Sequence, residues 1–126
     1  MSMKIYVAGP YTATTDYDIQ KNVNNAIDAA ITIYKKGHYP YLPHLTHWID
    51  LRSKETTQGL KWEDYVEMDH VWLEGCDAIL FLKESRGANL ELDYAKKTGK
   101  KVFYSLDEIP TMARKYKFQF EEKPDV

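Results

Sequence analysis

The stretch Asp77-Ala-Ile-Leu-Phe-Leu82 limits what this chain can fold into more than any other part of it. It is nearly all apolar, too short for a helix, and lacks the polar alternation of a strand with one wet face. It therefore describes a strand covered on both sides, in the middle of a sheet with helices above and below. Other segments repeat the theme. Residues 4–9, KIYVAG, form a second short apolar run, closed by Gly9-Pro10, and read as a strand and then a loop. From Asp18 to Lys36, Ile19, Val23, Ala26, Ile27, Ala30, Ile31 and Tyr34 recur at helical spacing, and Gly37 stands where a helix C-cap is expected. HYPYL, at 38–42, reads as a strand whose Pro40 cannot donate to a ladder, so it belongs at a sheet edge.

Residues 43–59 predict a short helix around Thr46 to Leu51 and then a polar loop. Trp62, Tyr65, Val66, Trp72 and Leu73 mark another amphipathic helix, ending at Gly75. A helix over 87–98 closed by Gly99, a strand in KKVFYS, and a loop with a short helix in LDEIPTMARKY complete the alternation. Strands alternating with helices predict an α/β fold: one flavodoxin-like (Rossmann-like) domain over residues 1–126, with a parallel sheet of four to five strands in the order 2-1-3-4-5 and helices on both faces. Ligands of such sheets bind beyond the carboxyl ends of the strands, where the strand order reverses. Here that point lies between strands one and three, and the loops GPYTATTD and KESRGAN meet there.

Composition narrows the partners. A net charge of −2, from 17 Lys+Arg and 19 Asp+Glu, offers no basic face for a nucleic acid polymer. The single cysteine, Cys76, cannot form an internal disulfide, and no Cys/His quartet has zinc spacing, so no metal is expected and a reducing cytoplasmic setting is. The first residues hold too short an apolar core for a signal peptide, and no apolar run approaches the roughly 20 residues that span a bilayer. Residues 117–126 alternate Phe118 and Phe120 with polar residues and suggest a C-terminal arm, a terminal strand or a disordered end.

Two carboxylates stand out. Glu91 lies one turn into the helix that opens near Gly87, where exposed amides would keep it ionised, as a nucleophile must be. A plain helix-start glutamate fits the same position. Asp69 occupies an apolar position on the stripe of Trp62, Tyr65, Val66, Trp72 and Leu73, and a carboxyl group among aromatics has its pKa raised, which suits a general acid. Alternatively a backbone amide or a lysine satisfies it. Such a pair divides the labour as retaining glycosidases do.

Tyr11, just past Gly9-Pro10, is a candidate to hydrogen-bond Glu91 and orient it, or else a loop tyrosine over the core. Ser85, Arg86 and Gly87 place a hydroxyl, a guanidinium and loop amides at a helix N-terminus, an arrangement able to hold a phosphate. The two loops add Gly9, Pro10 and Asn89 to the candidate binding residues. His44 and His47, three apart in PHLTH, make a poor metal pair and are better read as lining the cleft or capping a helix.

KIYVAGPYT, GHYPYLPHLTH, WEDYVEMDHVWLEGCDAILFL and ESRGANLELDYAKKTGKKVFYSLDEIP together resemble the nucleoside 2-deoxyribosyltransferase superfamily, in particular its small branch that includes 2'-deoxynucleoside 5'-monophosphate N-glycosidase-like proteins. The resemblance runs to about Pro110, and its most specific parts are the Gly-Pro loop and the Ser85-x-Gly87-x-x-x-Glu91 spacing. It implies the same fold and cleavage of the N-glycosidic bond of 2'-deoxynucleosides or their monophosphates. On it, Glu91 would form the deoxyribosyl-enzyme ester, Tyr11 would orient Glu91, and Asp69 would protonate the departing base. Water or a second nucleobase would resolve the ester, no cofactor would be needed, and the protein would be a homodimer or higher homo-oligomer. Transferases of the family carry an aspartate six before the nucleophile where the monophosphate N-glycosidases carry serine. Ser85 beside Arg86 therefore points to a 5'-phosphate. Two other readings stay open, a nucleotide-binding sensor without turnover and an NAD-cleaving glycohydrolase, because fold alone does not choose among them.

Overall fold

The computed structural model describes residues 1–56 and 58–114, so the expected arm at 117–126 lies outside the described residues. Strand β1 (Lys4–Ala8) leads into helix α1 (Asp16–Lys35). Strand β2 (Tyr39–Tyr41) is followed by a 3-10 turn (Pro43–Thr46), α2 (His47–Thr56) and α3 (Trp62–Glu74). Then come β3 (Ala78–Phe81), α4 (Arg86–Lys97), β4 (Lys101–Phe103) and a last 3-10 turn (Leu106–Glu108). The described strands form one parallel sheet of four in the order β2-β1-β3-β4, the α/β architecture expected, with the Pro40-bearing strand at its edge.

Side chains alternate across β1, and this alternation builds both the core and the site. Ile5 and Val7 face α1 and pack with Ala26, Ala29, Ile33, Ala78, Leu80, Phe103 and Ile109. Tyr6 and Ala8 face the other way, into a second cluster with Leu73, Cys76, Ile79, Ala88 and Ala95, under α3 and α4. A fully buried tyrosine on that face must find a partner for its hydroxyl among α3 and α4.

Helix α1 begins two residues earlier than its apolar periodicity predicts, because the Thr15 side chain accepts the Asp18 N–H and caps it, with Asp16 and Asp18 in the first turn. Helix α2 runs further than expected. It has no buried residue and leaves Trp48, Ile49 and Leu51 exposed, so no apolar stripe announced its length. The stripe of α3 is likewise only partly an inward face: Leu73 is buried, but Trp62 and Trp72 are exposed.

At the amino-terminal edge of the sheet the chain ties back on itself. The buried His38 ring accepts the Met3 N–H at Nδ1 (3.0 Å) and donates from Nε2 to the Pro110 carbonyl (2.6 Å). Lys36 Nζ donates to the carbonyls of Leu106 and Ile109, and the Met112 N–H to that of Lys36. Gly37 sits inside this clasp at φ +99°, where a Cβ would stand 1.8 Å from the Met112 carbonyl oxygen. Gly37→Ala should therefore combine backbone strain with a direct clash and destabilise the fold by about 2 kcal/mol or more, read as a lower urea midpoint at unchanged slope.

Candidate functional site

The carboxyl ends of β1 and β3 open into a cleft of about 630 Å³, walled by the Gly9 loop, the turn after β2, α2, α3 and the start of α4. At its base the Tyr6 hydroxyl donates to Glu91 Oε2, joining β1 to α4. Asp69, from α3, is close enough to raise the pKa of both Tyr6 and Glu91 electrostatically. The alternation that turned Tyr6 toward α3 and α4 thus brings one phenol and two carboxyl groups together.

This corrects the expected role of Tyr11. The hydroxyl on Glu91 belongs to Tyr6, whereas the Tyr11 hydroxyl pairs with His47 Nδ1 at 2.7 Å and its carbonyl accepts from Asn22. Tyr11 still lines the cleft, and burial, with Asp50 and Tyr65 nearby, pushes its pKa up to about 12. The signal for Tyr6 was a tyrosine within an otherwise apolar buried run, whose hydroxyl needed a partner.

The electrostatics of Glu91 also differ from expectation. It lies in the second turn of α4, beyond the free amides of the helix start, whose influence fades within the first turn. Burial dominates and, with repulsion from Asp69, outweighs the Tyr6 hydrogen bond, pushing its pKa up to about 8. Burial likewise pushes Asp69 up to about 7, the direction expected for an acid. Its Oδ1 is buried without a hydrogen-bond partner.

Around this base the other candidates divide. Gly9, Ser85, Arg86, Gly87 and His44 line the cleft. Ser85 caps α4, its Oγ accepting the Ala88 N–H at 3.1 Å, and the Arg86 guanidinium lies 4.4 Å over the Trp62 ring. A Cβ at Gly87 would meet nothing within 4 Å, so the glycine leaves open space at the helix start. Pro10, Asn89 and His47 do not line the cleft: Pro10 offers its carbonyl to His44, Asn89 turns to Glu84, and His47 holds Tyr11. Among the described residues no three potential metal ligands cluster, and no helix is long and apolar enough to cross a membrane.

Sequence reasoning passed over several cleft residues. Tyr65 donates to Asp50 Oδ1 at 2.9 Å while Lys54 pairs with Asp50 Oδ2 at 3.0 Å, giving the α2 side a small polar network. His70 donates from Nδ1 to the Val66 carbonyl and meets the Tyr94 ring edge-on. Chemically, the base of the cleft offers a carboxylate able to attack, a second carboxyl group able to carry a proton at neutral pH, and a phenol to hold the first in place. The start of α4 adds a guanidinium and backbone amides suited to an anion.

Residues 3–104 match the model of a family described as a domain of unknown function, DUF4406. No curated protein matches the chain.

Proposed function

For a chain that belongs to the DUF4406 family, a domain of unknown function, we propose cleavage of the N-glycosidic bond of 2'-deoxynucleotides or 2'-deoxynucleosides, with the 5'-monophosphates favoured. The observation that carries this reading is the Tyr6 hydroxyl on the Glu91 carboxylate with Asp69 beside it in one cleft. The resemblance to the nucleoside 2-deoxyribosyltransferase superfamily supports it independently. In the first step a Glu91 oxygen attacks C1' of the sugar and the C1'–N bond breaks. Its electron pair leaves with the base, which takes the Asp69 proton. In the second step water, or an incoming nucleobase, attacks C1' and gives its proton to Asp69, and the ester bond breaks to restore Glu91.

Tyr6 donates throughout to the Glu91 oxygen it holds, keeping the other free to attack. Arg86 and the amides at the α4 N-terminus would hold the 5'-phosphate, which the neutral Ser85 hydroxyl tolerates. Acting on small cytoplasmic nucleotides, the protein would form a homodimer or higher homo-oligomer, for which the exposed Trp48, Ile49 and Leu51 of α2 offer surface.

The productive form needs Glu91 ionised and Asp69 protonated. With the two pushed up to about 8 and about 7, the pair holds a single proton near neutrality, and that proton favours Glu91. Activity should fall at low pH, where the pair holds two protons, and at high pH, where it holds none. A plot of kcat/KM against pH should be a narrow bell with its maximum between about 7 and about 8.

The experiment is chromatography of reactions with matched deoxynucleosides and deoxynucleoside monophosphates, each with and without an added free base, and Glu91→Ala as control. Base released from monophosphates without an acceptor identifies a nucleotide hydrolase. New nucleosides formed only with added base identify a transferase. No turnover of either panel overturns the reading.

A further inference from the structure

We infer that His44 reads the substrate through an unprotonated Nδ1, so that the preferred substrate brings a hydrogen-bond donor, an N–H or O–H, to that atom. The inference rests on the nucleotide-cleaving reading of the same cleft and specifies what its occupant must carry. His44 opens the 3-10 turn after β2 and is 3% exposed, yet it lines the cleft. Its Nε2 lies 3.1 Å from both the Gly9 and Pro10 carbonyl oxygens. Two carbonyls can only accept, so Nε2 carries the ring proton. Burial disfavours a second proton more than those carbonyls favour it. The ring is therefore neutral, and Nδ1 is left as a bare acceptor without a partner.

A buried acceptor with nothing to accept is rare in folded proteins and calls for a reason. The pattern of such atoms supplies one. Among the described residues three buried side-chain atoms lack a hydrogen-bond partner, and two of them, His44 Nδ1 and Asp69 Oδ1, belong to cleft-lining residues from different elements. Both are acceptors, or in the case of Asp69 an acceptor that can gain a proton. These two atoms lack a donor within the protein, and the occupant of the cleft is the natural source.

On a nucleotide that donor has three sources: an exocyclic amino group on the base, the ring N–H of an oxo base, or a hydroxyl on the sugar. A site built around an acceptor rejects the analogue lacking the donor more strongly than a hydrophobic pocket rejects a missing methylene, because the acceptor is then left unpaired.

The test is a set of kcat/KM ratios. One arm pairs deoxycytidine with deoxyuridine monophosphate and deoxyadenosine with deoxyinosine monophosphate, so that an exocyclic amino donor faces a ring N–H donor beside an oxo group. The other pairs deoxynucleotides with their 3'-deoxy counterparts, so that hydroxyl faces hydrogen. Wild type should prefer one member in one arm by about 10- to 100-fold: the amino base if its exocyclic group is the donor, the oxo base if its ring N–H is, or the nucleotide with the 3'-hydroxyl. His44→Gln keeps an amide N–H for the Gly9 and Pro10 carbonyls but has no acceptor where Nδ1 stood, so it should bring that ratio close to one with little change in melting temperature. The arm that collapses, with the member it had favoured, names the source.

Should the variant fail to fold, the Nδ1 resonance of 15N-histidine-labelled Glu91→Ala, titrated with the best substrate, should move upfield as the nitrogen accepts a bond. Equal turnover of both members in every pair, a ratio that His44→Gln leaves intact, or a resonance that does not move overturns the inference alone. A wild type that turns over no member of either arm overturns the catalytic reading and the inference with it.

Discussion

Glu91→Gln should lower kcat/KM by about 10⁴-fold or more while making the protein harder to melt at alkaline pH. The first effect is loss of the nucleophile, since an amide oxygen cannot form the sugar ester at a useful rate. The second follows from linkage. In the unfolded chain the Glu91 carboxyl titrates near its ordinary value of 4.5, and in the folded protein burial pushes it up to about 8. Between those values the native state holds a proton that the unfolded state gives up, so stability falls as pH rises through the window. Above it the full cost of a buried carboxylate is present. Glutamine carries no charge and its oxygen still accepts from Tyr6, so at pH 9 it should stabilise the fold by on the order of 3 kcal/mol, or roughly 10 °C in Tm. At pH 4, where both states of wild type are largely protonated, the two proteins should melt together. Melting curves across that range decide the matter: a Glu91→Gln protein that tracks wild type at every pH refutes a carboxyl group whose burial outweighs its Tyr6 hydrogen bond.

Tyr6→Phe should cost about 10- to 100-fold in kcat/KM, whereas Tyr11→Phe should cost far less. The Tyr6 hydroxyl is the one contact that favours the ionised form of Glu91 against burial and Asp69. Without it the Glu91 pKa rises further, so the productive arrangement of the shared proton becomes rarer and the basic limb of the pH profile should move to higher pH. Tyr11 bonds His47 and has no contact with Glu91, so its loss should leave that limb where it is. The displaced limb separates a charge-positioning role from general damage to packing, which would lower the rate without moving the limb. If Tyr11→Phe moves the limb and Tyr6→Phe does not, the assignment of the two tyrosines is reversed.

How much of this was legible in the sequence depended on whether local pattern or three-dimensional register decided it. The parallel sheet and its edge strand followed from Pro40, from Gly37 and Gly99 ending helices, and from the unbroken apolar run into Leu82. Glu91 and Asp69 were legible only as candidates, since a plain helix-start glutamate fits the first position and a satisfied carboxylate the second; that both line one cleft is a matter of tertiary packing. Tyr6 was not, because strand order and facing direction decide which tyrosine meets α4, and neither is written in KIYVAG. The upward push on the Glu91 pKa was hidden for a related reason: depth along a helix is legible from sequence, but depth beneath the surface is not. Trp62 looked like a core residue by spacing, yet it lies exposed beneath the Arg86 guanidinium, a contact between two elements that no single-helix pattern contains.

The clasp at His38 gives the described chain an almost circular course. Met3 and Pro110 bind opposite nitrogens of one imidazole, at the amino-terminal edge of a sheet whose carboxyl edge holds the cleft. The order in which the elements are translated is therefore separable from the order in which they pack. A permuted gene that joins the two segments at the clasp and begins instead near Gly59, on the loop before α3, would keep every strand pairing and leave Tyr6, Asp69 and Glu91 on one continuous scaffold.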